Sequence, residues 1–368
     1  MDRRELLKTL GASAALATGV AACSRRSGGS APGAGGEAAA PALKWKMVTT
    51  WPANFPGLGT GASRLAELIT TMSGGRLAVK VFGAGELVPA LEVFDAVSNG
   101  TAELGHGAAY YWKGKAAAAQ FFGAVPFGMT AQEVNGWLYN GGGLELWTEL
   151  FAPFGVLPQP AGNTGVQGGG WFREEIRSVA DLKGLKMRMP GLGAEVLKRA
   201  GATPVNLPGG EIFTALQTGA IDATEWVGPY NDLAFGLHTV AKHFHYPGWH
   251  EPGSVLECLI NLAAYEALPD DLKAIVTGAC RIVNNDMQAE YAARNPAALR
   301  SLVEEHGVSV KPFPPDVLAE LKRHSLAVIA DLAASDPMAQ RIAASYTAFA
   351  AAARAYGETS EKAYLNSR

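Results

Sequence analysis

From Leu43 onward the apolar residues switch repeatedly between a period of two and a period near 3.6, and this alternation restricts the fold more than any other feature. Lys44 to Thr50 (K-W-K-M-V-T-T) predicts a strand, Gly57 to Ser73 an amphipathic helix, and Arg76 to Phe82 (R-L-A-V-K-V-F) a second strand. The pattern continues with a helix over Leu91–Asn99, a short strand over Ala102–Ala108 and a helical stretch from Gln132 to Phe151. A second set follows. It has strand-like runs at Gly155–Gly162, Gly168–Arg173 and Leu185–Pro190, helices over Ala194–Ala200 and Glu211–Gly219, and a strand from Ile221 to Val227. Strands alternating with helices imply an α/β protein with mostly parallel sheets covered by helices. With 368 residues and two such sets, two lobes with a cleft between them are expected, and ligands of open α/β sheets bind outside the carboxyl ends of the strands.

The remaining C-terminal part reads as helix. After Leu256–Ile260 a helical pattern opens at Pro269 and runs to about His306, with an interruption possible at Pro296. That length suits a strut spanning both lobes. A strand at Val308–Phe313 precedes helices over about Asp316–Ala334 and Pro337–Tyr364. The last helix carries Tyr346, Phe349 and Tyr356 in helical register, an apolar face that must dock on something, a second subunit included.

The N-terminus is an export signal. Met1 to Lys8 contains Arg3 and Arg4, and the apolar run Leu10–Ala22 is too short for a resident membrane helix. The arginine pair fits either the twin-arginine route or the general secretory route. Val20-Ala21-Ala22-Cys23 has the form of a lipobox, in which small residues precede the cleaved bond and the Cys23 thiol takes the lipid; the alternative is a plain signal peptide with an incidental cysteine. Ser24–Ala42, rich in Gly, Ser, Ala and Pro, reads as a flexible tether.

Several function classes are disfavoured. A net charge of -3 with 18% charged residues lacks the basic stripe that nucleic-acid binding needs. Cys258 falls in a strand-like run and Cys280 in a helical one, so two buried thiols are expected rather than a disulfide, and no Cys/His spacing suggests zinc. His243, His245 and His250 are read as structural. No nucleophile-elbow motif surrounds Ser63 or Ser73, and Gly141–Gly143 follows a helical pattern, so it is no phosphate loop.

The informative stretch is Leu185 to Glu251. Arg188 ends an alternating strand stopped by Pro190, which puts a guanidinium at a strand's carboxyl end. It either forks onto a ligand carboxylate or snorkels over the sheet. Glu225 and Trp226 end the Ile221–Val227 strand, and Glu251 sits among turn residues in P-G-W-H-E-P-G. Each glutamate is either a solvated surface group or, with a neutral oxygen donor such as Gln167, part of an oxygen-rich cation cage. Trp51 and Tyr110 are candidates for the opposite wall, or plain core.

The leader, Trp51-Pro52, the run G-N-T-G-V-Q-G-G-G-W-F-R (Gly162–Arg173), Arg188-Met189-Pro190, A-L-Q-T-G-A-I-D-A-T-E-W (Ala215–Trp226) and W-H-E-P-G together resemble one family. They are similar to the extracytoplasmic solute receptors of TRAP (tripartite ATP-independent periplasmic) transporters, in the DctP-type branch that binds 2-oxo and 2-hydroxy monocarboxylates. The similarity runs from Leu43 to the C-terminal helices. It implies a two-lobed fold of the periplasmic-binding-protein kind, with lobe I from 43–164 plus about 253–293 and lobe II from 165–252 plus about 294–315. The 316–368 helices are then extra elements that pair in a homodimer. It also implies that Arg188 pairs with the ligand carboxylate and that a metal cation, sodium or calcium, bridges ligand and protein through Gln167, Glu225, the Trp226 carbonyl and Glu251. The partners implied are a pyruvate- or lactate-like acid and the TRAP membrane subunits, with contact to the membrane only through a lipid on Cys23.

The residues and the resemblance agree on one point of electrostatics. Two glutamates beside a bound anion would repel it unless a cation stood between them. A periplasmic binding protein is therefore expected, and not an enzyme. The competing expectation, a secreted metal-dependent enzyme acting on keto acids, lacks a residue left over to serve as base or nucleophile.

Overall fold

The computed structural model describes residues 42–368; the leader, Cys23 and tether positions 24–41 lie outside the described residues. The strands are β1 (Leu43–Thr49), β2 (Leu77–Phe82), β3 (Leu104–Gly107), β4 (Val156–Asn163), β5 (Gly170–Phe172), β6 (Lys186–Arg188), β7 (Thr203–Val205), β8 (Ala223–Thr224), β9 (His243–Tyr246), β10 (Val255–Asn261) and β11 (Ser309–Pro312). They form two sheets, ordered β2-β1-β3-β10-β4 and β11-β9-β5-β8-β6-β7.

The expected mostly parallel pairing is corrected to a mixed one. β1 is parallel to β2 and β3, but β10 is antiparallel to both of its neighbours, β3 and β4. In the second sheet β5 is antiparallel to β8 and β9. The reason lies in the connections. β4 crosses directly into β5 and β9 directly into β10, so each sheet receives one strand that starts at the end where its parallel neighbours finish. The carboxyl ends of β1, β3 and β4 thus face the carboxyl ends of β6, β8 and β9. The two crossover segments are also bonded to each other: Thr164 N donates to Ser254 O (3.0 Å), Gln167 N to Glu251 O (3.2 Å) and Gly248 N to Gln167 O (2.9 Å).

Helices cover the sheets as their apolar periodicity requires. Leu58–Met72 buries Leu58, Leu65 and Ile69, four to seven residues apart and on one face. The long helix is continuous over Asp270–Glu304, 35 residues, with Pro296 inside it. Proline is tolerated there because both Pro296 and Ala292, whose carbonyl loses its donor, lie on the exposed side where water can replace the bond. The single helical stretch expected over Gln132–Phe151 is instead two helices, Ala131–Asn140 and Gly143–Phe151. Gly142 breaks it by adopting φ +83°, which L side chains rarely adopt. The last helical stretch is likewise divided, into Pro337–Thr359 and Glu361–Leu365.

The apolar face of Pro337–Thr359 docks on this chain itself. Tyr346 is buried, accepts a hydrogen bond from Met129 N on its hydroxyl oxygen (3.0 Å) and packs edge-on to Trp137. Tyr356 of the same helix is 73% exposed. Cys258 and Cys280 are free and buried in the core between β10 and the long helix. No helix among the described residues is long and apolar enough to cross a membrane.

Candidate functional site

Where the two sheets' strand ends meet, a narrow cavity is enclosed by Trp51, Tyr110, Tyr111, Gln167, Arg188 and Trp226, among others. Its volume is about 10 Å³, on the scale of one water molecule. The walls therefore stand close together where the strand ends converge.

Arg188 is the last residue of β6 and is only 1% exposed. Alternation along K-M-R puts Met187 into the core on one face and the guanidinium at the strand end on the other. Its Nη1 donates to Glu225 Oε1, Nε to Leu207 O (3.2 Å) and Nη2 to the Tyr111 hydroxyl (3.3 Å). The guanidinium also lies 5.2 Å from the Trp226 ring centroid, a cation–π contact. Burial works against its charge, but Glu225 and the neighbouring tyrosines outweigh that and hold its pKa above the ordinary arginine value. It stays charged at any working pH.

Glu225 and Trp226 follow β8, which is two residues long rather than the seven expected over Ile221–Val227. Glu225 bonds to Arg188 with Oε1, while its Oε2 is buried without a hydrogen-bond partner. His250 Nε2 stands 3.4 Å from that Oε2, within ion-pair range but not aligned as a hydrogen bond, and both ring nitrogens of His250 are unpartnered. Glu251 comes from the second crossover and is buried; burial, reinforced by the Glu225 charge, pushes its pKa up to about 7. Gln167, on the first crossover, donates Nε2 to Glu251 Oε2 (2.8 Å) and to Thr164 Oγ1 (3.2 Å), leaving its Oε1 buried and unpartnered. The G-G-G run beside it is forced by packing, since a Cβ at Gly168 would stand 2.4 Å from the Phe244 ring.

The other wall is aromatic. Trp51 is buried after β1, donates Nε1 to His106 Nδ1 (2.8 Å) and meets Trp226 edge-on at 6.1 Å. His106 Nε2 lies 3.1 Å from Ala161 O, so it carries the ring proton, and burial lowers the His106 pKa to about 4. This imidazole is neutral and holds the indole in place. Tyr110 is buried beside Tyr111, and burial raises both phenols.

All the residues singled out in the sequence, Trp51, Tyr110, Gln167, Arg188, Glu225, Trp226 and Glu251, lie in or against this one region. Two further residues join them. Tyr111 contacts Arg188 from the opposite sheet, and His250, expected to be structural, stands beside Glu225. The carboxylate and imidazole donor atoms of Glu225, His250 and Glu251 lie within 4.8 Å of one another. The donor set fits a cation: orphaned buried oxygens on Gln167 and Glu225 and two adjacent carboxylates against one guanidinium leave an excess of negative charge. His243 and His245 are elsewhere, on β9, with His245 stacked on Phe313.

Residues 47–336 match the family model for bacterial extracellular solute-binding protein, family 7 (DctP). This chain belongs to that family. A Nostoc protein named as a monocarboxylate 2-oxoacid-binding periplasmic protein is 41% identical over 366 residues, covering 100% of this receptor and 98% of the relative. A TRAP periplasmic solute binding protein from Pseudoalteromonas atlantica, solved with bound sodium and pyruvate, superposes with a TM-score of 0.86 at 42% identity, over 89% of this receptor and 99% of that chain. One from Colwellia psychrerythraea, with bound calcium and pyruvate, gives a TM-score of 0.86 at 41% identity, over 89% and 100%. This receptor is thus a TRAP-type periplasmic solute-binding protein, with the two sheets, helical cover and C-terminal helices of that architecture.

Proposed function

We propose that this receptor captures a 2-oxo or 2-hydroxy monocarboxylate of pyruvate or lactate size together with sodium or calcium and presents it to TRAP membrane subunits. The observation that carries the reading is the fully buried Arg188 at a strand end, set against two buried carboxylates with unpartnered oxygen donors beside them. The pyruvate-bound relatives support the ligand class, and their sodium and calcium support the cation.

Arg188 offers its fork to the ligand carboxylate, and Trp226 and Tyr111 fix the plane of that fork. Gln167, Glu225, the Trp226 carbonyl and Glu251 would hold the cation, which when bound balances the carboxylates and accepts oxygens from the ligand. Trp51 and Tyr110 close the opposite side and exclude water, which strengthens every charged contact inside. Each of these residues has a role in binding, and the ligand is expected to leave unchanged.

Capture then follows from hinging of one lobe, 43–164 with about 253–293, against the other, 165–252 with about 294–315, along the two crossovers. The anchor is a lipid on Cys23. Homodimerisation uses the C-terminal helices, where Tyr356, Tyr364 and Leu365 are exposed. The test is mass spectrometry of ligand retained by purified protein, alongside thermal shifts across a panel of monocarboxylates with each cation. A retained or stabilising 2-oxo or 2-hydroxy acid, recovered intact, is expected; no shift with any acid and cation would overturn the reading.

A further inference from the structure

The cation site contains a nitrogen donor that an oxygen-only cage does not use. His250 is 2% exposed, and neither Nδ1 nor Nε2 has a hydrogen-bond partner. A neutral imidazole has one N–H to donate and one lone pair to fill, and burying both unsatisfied is costly. The ring is held rather than loose: Trp249 packs across it at 5.4 Å, and a Cβ at Gly193 would come within 3.1 Å of the His250 Cβ.

The imidazole stands beside the carboxylates. His250 Nε2 is 3.4 Å from Glu225 Oε2, itself unpartnered, and an oxygen of Glu251 completes a group within 4.8 Å. Spacing alone does not choose the ion. Donors about 2.0–2.1 Å from tetrahedral zinc are about 3.3–3.4 Å apart, and donors about 2.4 Å from calcium at right angles are also about 3.4 Å apart. Donor chemistry does choose, because sodium and calcium take oxygens, whereas imidazole nitrogen is a first-row transition-metal ligand.

We propose that this site also binds a divalent transition metal of the zinc class, through His250 Nε2, Glu225 and Glu251. Three donors leave a fourth position of a tetrahedral ion to a water or a ligand oxygen. The inference rests on the cation-binding reading above and adds a second kind of occupant to the same carboxylates. Zinc and calcium then compete, and the metal present in the periplasm sets which form of the receptor meets its ligand.

The experiment uses the purified full receptor stripped of metal. Zinc chloride and, separately, calcium chloride are titrated by calorimetry into wild type and His250→Gln, and X-ray absorption is recorded on the zinc-loaded wild type. Expected are one zinc per chain displaced by excess calcium, a histidine scatterer at about 2.0–2.1 Å from zinc, and a zinc-to-calcium affinity ratio at least tenfold lower in H250Q. No zinc binding, a zinc shell without histidine, or an equal loss of both metals in H250Q overturns the proposal. The absorption measurement needs no variant, so a misfolded H250Q leaves the outcome decided. Pyruvate titrated into the calcium form is scored separately: its failure would sink the monocarboxylate reading and leave the zinc result standing.

Discussion

The two walls of the cavity are built from opposite materials. On the second-sheet side and the crossovers stand Arg188, Glu225, His250, Glu251 and Gln167, all buried and charged or hydrogen-bonding. On the first-sheet side stand Tyr110, Tyr111 and Trp51, the last held by the neutral His106. The difference teaches how a ligand of few atoms is oriented. Its affinity must come from a small number of strong contacts, and these are all on one wall, so the carboxylate points to β6 and β8 and the remainder meets aromatic surface.

The comparison breaks most decisively at Arg188. Arg188→Ala removes the fork and leaves Glu225 buried without its cationic partner, a loss on the order of 3–5 kcal/mol. Ligand affinity falls by more than a hundredfold by calorimetry, and the melting temperature drops with it. Retained affinity would mean that the carboxylate does not sit on the charged wall.

The first-sheet side has its own buried carboxyl, and it sharpens the contrast. Glu257 on β10 has one donor, Trp112 Nε1, and an unpartnered Oε2; burial pushes its pKa up to about 8. Because the folded pKa lies above the unfolded value of 4.5, the folded state binds the extra proton. Its contribution is complete below pH 4.5 and is lost as the pH rises through 8. Over that window the slope is at most about 1.4 kcal/mol per pH unit. Glu257→Gln should flatten this part of the stability-versus-pH curve measured by urea melts, and an unchanged slope would show that Glu257 is not the group responsible.

A smaller effect is expected at the indole. Trp51→Phe keeps the aromatic surface but leaves His106 Nδ1 without its donor, costing about 1–3 kcal/mol of stability. Ligand affinity should change by less than tenfold. A hundredfold loss would place a strong polar contact on the aromatic wall and erase the contrast.

Much of this was legible in the chain because the cues are local. Strand periodicity ended by Pro190 locates Arg188 at the end of β6, and the turn residues around Glu251 locate it on a crossover. What was not legible depends on pairing between distant segments. Tyr111 reaches Arg188 across 77 positions, and nothing near it in sequence announces an arginine partner. His250 looked like one of three histidines in a β-rich stretch until folding separated it from His243 and His245 and set it against Glu225. The antiparallel place of β10 follows from the chain's return between sheets, which an alternating pattern does not encode. Tolerance of Pro296 depends on which side of the helix meets solvent, known only once the helix has packed.

The central claim is that the charged wall captures a monocarboxylate only with a cation in place. Calorimetry of pyruvate into metal-stripped receptor, then into receptor supplied with calcium or sodium, tests it most directly. Saturable one-to-one binding that appears with the cation and weakens at least a hundredfold without it is the expected result. Equal affinity in both, or no binding in either, would contradict it.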